Sequence, residues 1–463
     1  VTFSTLRRID ARLLTLLAAT FLLLFDNLNF WSALVHATGG LALRTMPLLL
    51  GTFVVILLVF NAVLTLVNFR FVIKPVLIIL FMLSAATSCF MSTYGTHIDK
   101  AMVQNLFETD VFEARELLNW QLLLTVLLLG VVPSLAVAYC SQPTFPRLRR
   151  DLLGKATTVG VSIVIASALL LIFFKSLAPT IREHRELRFL LTPTNYIQAV
   201  NGYLKQMARR PLAVAPLGTD AIKGEHWRGS RRRTATIMVV GETARADNFS
   251  LNGYARETNP LLSRQRDLIN FSQMQSCGTA TAVSVPCVFS GLGREHYTDT
   301  KPRSQQGLLD VIAHAGFSVL WRDNNSGCKG ACDRVAHEDW STPTPGEPLC
   351  DGDECDDERM LTKLPELIRG GGQDMLIVLH QKGSHGPAYW RRYPGAFKHF
   401  GPVCETNELD QCSRESIVAA YDNTIRYTDY FRSRAIDTLR QSASLDDVDT
   451  ALVYFSDHGE SLG

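Results

Sequence analysis

The sequence predicts two fold classes in one chain: an N-terminal all-α membrane domain of five transmembrane helices, and a C-terminal α/β domain on a mostly parallel sheet. Three observations lead there. Long uncharged apolar windows are confined to the first 178 residues, short β-branched runs alternate with helical periodicity after residue 234, and residues able to hold metal or phosphate sit at the ends of those runs. With 463 residues the chain is too long for one ordinary domain. A formal net charge of +2, with no long basic stripe, excludes nucleic acid as an expected partner.

The windows are Leu13–Trp31, Thr45–Val67, Pro75–Met91, Trp120–Tyr139 and Ala156–Phe174. Each is long enough to cross a hydrocarbon layer of about 30 Å as a helix. The first lacks a small-residue cleavage site and is read as a span, not a leader. It carries Asp26, Asn27 and Asn29, which should face the bundle interior or an interface. Basic residues set the orientation. Arg7, Arg8, Arg12, Arg70, Lys74, Arg147, Arg149, Arg150 and Lys155 flank one side, against Arg44, Lys100 and Arg115 on the other. The positive-inside rule then puts the N-terminus in the cytoplasm and everything after the fifth span outside.

Residues 92–119 form a polar loop with helical spacing from Met102 to Leu118, where Asn105, Thr109 and Glu113 share a face that could meet a lipid headgroup. Residues 179–233 read as a bridging linker closed by Arg231-Arg232-Arg233. From Thr234, strands are expected at Thr236–Gly241, Phe317–Trp321, Asp374–His380 and Ala451–Ser456, and helices at Leu308–His314, Arg359–Ile368 and Ser416–Leu439. Cys277, Cys287, Cys328, Cys332, Cys350, Cys355, Cys404 and Cys412 make four sequence-local pairs, none with Cys-x-x-Cys spacing. Disulfides in an oxidising compartment are preferred over a thiolate zinc site.

Chemistry-bearing clusters follow three of the strands: Gly241-Glu242-Thr243-Ala244-Arg245, His380-Gln381-Lys382-Gly383-Ser384-His385-Gly386, and Ser456-Asp457-His458-Gly459-Glu460. Ligands in open α/β sheets collect at carboxyl strand ends. A fourth cluster, Ser276-Cys277-Gly278-Thr279-Ala280-Thr281, precedes an apolar segment. A Cys277–Cys287 bridge would clamp that turn and set Thr281 at the start of a helix, where amides and dipole favour phosphate. Spacing alone leaves Thr279 and Thr281 open as nucleophile.

Together with Asn248-Phe249-Ser250-Leu251-Asn252-Gly253-Tyr254, these motifs resemble the lipid A phosphoethanolamine transferases, a family of the alkaline-phosphatase-like superfamily that includes the mobile colistin-resistance enzymes. The resemblance covers essentially the whole chain. It implies an alkaline-phosphatase/sulfatase-like catalytic domain and a Zn2+ held by Glu242, Thr281, Asp457 and His458, with Thr281 the nucleophile. It also implies substrate contacts from Ser326, Lys329 and His385, and from Asn105, Thr109 and Glu113 on the membrane side. The implied activity transfers phosphoethanolamine from phosphatidylethanolamine to a lipid A phosphate through a modified threonine, giving polymyxin resistance. The implied setting is a multi-pass inner-membrane protein, expected as a monomer, with its catalytic domain in the periplasm. Family members continue beyond the position of Gly463 and supply another histidine, so the chain is expected to be C-terminally truncated.

Rivals are weighed by residues. A sulfatase would need a Cys-x-Pro-x-Arg turn, which Cys277 and Cys287 do not provide. A phosphoglycerol transferase, or transfer to a core sugar or glycan, shares the scaffold and stays open. A receptor or transporter is disfavoured because five spans with few internal charges make a poor conduction path.

Overall fold

The computed structural model describes residues 8–108, 117–140, 142–184, 186–207, 213–230, 232–298, 300–344, 346–351, 354–407, 409–446 and 448–462. The chain divides into two compact units, Val1–Phe107 with Leu118–Arg209, and Glu108–Leu117 with Arg210–Gly463.

In the first unit, helices Met46–Leu66, Ile73–Tyr94, Trp120–Tyr139 and Leu148–Glu183 are each long and apolar enough to cross a membrane. Their outward side chains, such as Leu171 and Val164, are exposed, as a lipid-facing surface requires. The window expected as one straight first span is instead broken. Ala11–Phe25 and Leu28–Ala37 meet at 62°. The physical cause is Asn27, whose Nδ2 donates to the carbonyls of Leu22 (2.9 Å) and Thr192 (2.8 Å) while its Oδ1 accepts from the Thr192 amide (2.8 Å). A short polar side chain that competes for backbone groups ends one helix and starts the next. In Trp120–Tyr139, π-helical turns at Val126–Val131 and from Ala136 flank Pro133, which brings no amide hydrogen. The expected loop helix is present as Lys100–Glu108, and a second helix, Thr194–Met207, follows the last span. Thr109 and Glu113 lie outside the described residues.

The second unit is built on five parallel strands, β1 (Thr234–Gly241), β2 (Ser318–Asp323), β3 (Ala336–Asp339), β4 (Met375–His380) and β5 (Asp449–Ser456), in the order β3-β2-β4-β1-β5. Both faces are covered, so strands carry apolar residues on successive positions and not in simple alternation. Ala235, Ile237, Val239, Ile377 and Leu379 pack on one side with Leu364, Ile368, Phe431, Ala435 and Leu439, from helices Leu364–Gly370 and Arg414–Asp446. Val240, Val378, Val319 and Trp321 pack on the other with Val285, Phe289 and Leu309, from Thr281–Ser290 and Leu308–His314.

Two expectations change. Helix Arg359–Ile368 is a 3-10 turn, Asp357–Leu361, and then a separate helix from Leu364. Lys363 adopts φ 56° and Pro365 begins the new helix, so the first cannot run on. The edge strand β3 was not anticipated, because Ala336-His337-Glu338-Asp339 is mostly exposed and lacks apolar alternation. Disulfides join Cys277–Cys287, Cys328–Cys332, Cys350–Cys355 and Cys404–Cys412.

Candidate active site

Parallel register decides which residues meet. Val240 pairs with His380, Gly241 with Ser456, and Asp323 with His380, so β1, β2, β4 and β5 end level with one another. The ladder continues one step further as Gln381 N donates to Val240 O and Asp457 N to Gly241 O, both at 2.9 Å. Glu242 and Asp457 therefore stand side by side at the carboxyl edge of the sheet.

His458 Nε2 lies 3.3 Å from Glu242 Oε1 and 3.5 Å from Asp457 Oδ2. One donor atom from each of the three residues falls within 4.8 Å of the others. Thr281 Oγ1 donates towards both Glu242 oxygens, at 3.1 and 3.3 Å. Thr243 N and His458 N donate to Asp457 Oδ1, at 3.0 and 2.7 Å, whereas Asp457 Oδ2 is buried with no hydrogen-bond partner. A buried carboxylate oxygen left in that state beside a second carboxylate and an imidazole fits a divalent cation.

The charges are mutually dependent. Burial opposes ionisation of Glu242, but the His458 hydrogen bond and the fields of His385 and His458 hold its carboxyl well below the usual range. Burial, with repulsion from Glu242, pushes Asp457 up to about 7. For His458 burial works against the charged form, yet the Glu242 hydrogen bond and both neighbouring carboxylates outweigh it and raise the imidazole to about 10.

Thr281 is the first residue of helix Thr281–Ser290, preceded by extended Ala280, so its hydroxyl sits where helix amides have no intrahelical partner. The Cys277–Cys287 bridge closes the turn over this end. Thr279 is exposed, and it is Thr281 that reaches Glu242. The loop after β2, closed by Cys328–Cys332, brings Ser326 and Lys329 together, with Lys329 Nζ 2.9 Å from Ser326 O and 3.1 Å from its Oγ. His385 follows β4, in a loop seated on Glu242: Ser384 N donates to Glu242 O at 3.0 Å. Gly383 has φ +55°, and a side chain there would stand 2.8 Å from that same oxygen. Asn105 is exposed on Lys100–Glu108 in the other unit.

Several residues take a part in this arrangement that the sequence had not assigned to them. Asn325 Nδ2 donates to Glu242 Oε2 at 2.8 Å. Ser276 and Ser284 hydroxyls both reach Asp457 O at 2.5 Å, tying the turn and the helix to β5. Asp357 accepts from Lys382 N and Gly383 N, and Arg392 Nε donates to His385 O, so both halves of the β4 loop are held. His380 Nδ1 pairs with Asp323 Oδ2 at 3.0 Å beneath the site. Asn325 had a local signal as the neighbour of Ser326, and Ser276 and His380 stand inside the motifs themselves; Asp323, Asp357 and Arg392 act across large sequence separations.

The phosphoethanolamine transferase EptA/EptB family pattern matches residues 56–208, and the sulfatase pattern matches residues 234–463. The chain is 40% identical to phosphoethanolamine transferase EptA of Escherichia coli (strain K12), over 97% of this chain and 81% of that protein. It is 37% identical to phosphatidylethanolamine transferase Mcr-1 of Escherichia coli, over 99% of this chain and 85% of that protein. Its structure is similar to that of the integral membrane protein lipooligosaccharide phosphoethanolamine transferase A of Neisseria meningitidis, with TM-score 0.91 and 32% identity, covering 99% of this chain and 84% of that one.

Proposed function

Because the chain belongs to the EptA family of phosphoethanolamine transferases, we propose that it moves phosphoethanolamine from phosphatidylethanolamine to a lipid A phosphate, with Thr281 as nucleophile and Zn2+ as cofactor. The observation that carries this reading is Thr281 Oγ1 within 3.3 Å of both Glu242 oxygens, at a helix N-terminus, beside Asp457 and His458. Glu242, Thr281, Asp457 and His458 would hold the zinc; bound there, it would supply Lewis acidity and help a threonine hydroxyl lose its proton at neutral pH.

The remaining chemistry belongs to the chain. Thr281 Oγ attacks phosphorus as the bond to the diacylglycerol oxygen breaks; the hydroxyl proton leaves by way of Glu242, and diacylglycerol departs protonated. Lys329 and His385 offset charge on the non-bridging oxygens, and the amides at the start of Thr281–Ser290 face the same way. In the second half an acceptor phosphate monoanion attacks through its hydroxyl oxygen, the bond from phosphorus to Thr281 Oγ breaks, and the proton the acceptor gives up passes by way of Glu242 to Thr281 Oγ. Modification of lipid A in this way neutralises surface anionic charge, which supports a role in polymyxin resistance.

Incubating the protein with phosphatidylethanolamine alone, then mapping peptides by mass spectrometry, should place the phosphoethanolamine mass on the Thr281 peptide, and Thr281→Ala should abolish it. Modification at Thr279 instead, or retained transfer by Thr281→Ala, would overturn the assignment.

A further inference from the structure

Helix Thr194–Met207 has three distinct faces. Asn195, Tyr196 and Ala199 are buried, with Tyr196 and Ala199 in a cluster that includes Leu49, Met91, Ile98 and Leu187. Ile197, Val200, Leu204 and Met207 are 53%, 37%, 55% and 64% exposed. Thr194, Gln198, Asn201 and Lys205 are exposed as well. At about 100° of rotation per residue, the exposed apolar stripe lies roughly 120° round the helix from the buried face, and the polar stripe takes up the remaining third. A helix that only packed on a core and faced water would carry polar residues on both outer thirds.

The level of this helix in the unit is set by its partners. Leu49 lies in the first turn of Met46–Leu66 and Met91 in the last turn of Ile73–Tyr94, so both mark the same end of two oppositely directed spans. Asn195 Nδ2 reaches Met91 Sδ at 3.5 Å, and Tyr196 Oη lies 3.4 Å from Ser84 Oγ. The Met91 contact and the shared cluster with Leu49 and Ile98 set the helix against the end of these spans, where hydrocarbon gives way to headgroups, while the Tyr196 side chain reaches inward to Ser84, midway along Ile73–Tyr94.

We infer that Thr194–Met207 lies in the interfacial layer of the bilayer, with Ile197, Val200, Leu204 and Met207 among lipid acyl chains and the polar stripe, including Lys205, towards headgroup phosphates. Continuity with the ends of the spans and the separation of apolar from polar flank favour a lipid surface as the occupant. The segment between the last span and the catalytic unit is then a membrane-seated element in its own right.

The test uses the full chain in phosphatidylethanolamine–phosphatidylglycerol vesicles, with Cys89→Ser and Cys140→Ser and one spin label at a time at Leu204→Cys or Asn201→Cys. The Leu204 label should collide more often with oxygen than with a water-soluble nickel chelate, and the Asn201 label the reverse. A second pair, Ile197→Cys and Gln198→Cys, repeats the contrast nearer the start of the helix on exposed positions that do not disturb packing. The inference is overturned if the apolar-stripe labels meet nickel as freely as the polar-stripe labels. It is equally overturned if they are shielded from both reagents and lose dipolar broadening on dilution with unlabelled protein, since a second copy would then cover the stripe.

Discussion

Asp457 is held in place through its backbone, and that can be measured. Its carbonyl lies 2.5 Å from both the Ser284 and the Ser276 hydroxyls, and Ser276 Oγ lies equally close to Gly278 O. Each hydroxyl has one proton, so two donors serve two carbonyls, that of buried Asp457 and that of half-buried Gly278. Ser284→Ala leaves Ser276 to satisfy Asp457 O at the expense of Gly278 O, or the reverse; the expected loss is about 1 kcal/mol, one net hydrogen bond. Ser276→Ala should cost a similar amount. The double variant strands both carbonyls, and two unmade bonds at about 1–3 kcal/mol each give roughly 3–4 kcal/mol, more than the two single losses combined. In a domain of this size that is about 2–4 °C in Tm for each single change and roughly 6–16 °C for the pair. Thermal unfolding with a double-mutant cycle reads the coupling directly, and phosphoethanolamine transfer should fall about tenfold or more in the double variant as Asp457 drifts from Thr281. Strictly additive losses, or a double variant with native stability and full transfer, would refute the reasoning.

Further outcomes follow from the same contacts. Asn325→Ala removes the donor that orients Glu242 Oε2 and should weaken zinc binding about 10–100-fold, as competition with a chelator would measure. Zinc affinity should rise with pH, because binding needs His458 neutral and Asp457 ionised while these groups sit at about 10 and about 7 in the metal-free site. Calorimetry in buffers of different ionisation enthalpy should show proton release at neutral pH, and binding that weakens as pH rises would contradict the assignment. Arg392→Ala breaks a buried ion pair with Glu354 and frees His385 O, so a loss of about 3–5 kcal/mol is expected by denaturant titration, with Arg392→Lys recovering only part of it.

Much of the candidate site was legible because its residues lie in short contiguous motifs. Glu242, Asp457 and His458 each follow an apolar β-branched run, and a strand end in a parallel sheet is a place where ligands gather. Thr281 opens a helix and lies between Cys277 and Cys287, a sequence-local cysteine pair. What the motifs could not convey is support at long range. Asp357 is recognisable as part of the site only once the β4 loop folds back on it, and Arg392 only once the Cys350–Cys355 hairpin presents Glu354. The bend in the first span was illegible for a similar reason. Asn27 reads as a polar residue in an apolar run until Thr192, 165 residues away, supplies its partners.

The sequence by itself determined the membrane character of the first part, the alternation of strand and helix in the second, and the identity of the metal-capable residues. All three depend on side-chain type and on periodicity over a few turns, which need no partner. The order β3-β2-β4-β1-β5, the level strand ends that set Glu242 beside Asp457, and the serine ties that hold Thr281 to them were decided only in three dimensions. Register is a relation between strands that lie far apart in the chain, and no single segment carries the information that aligns it.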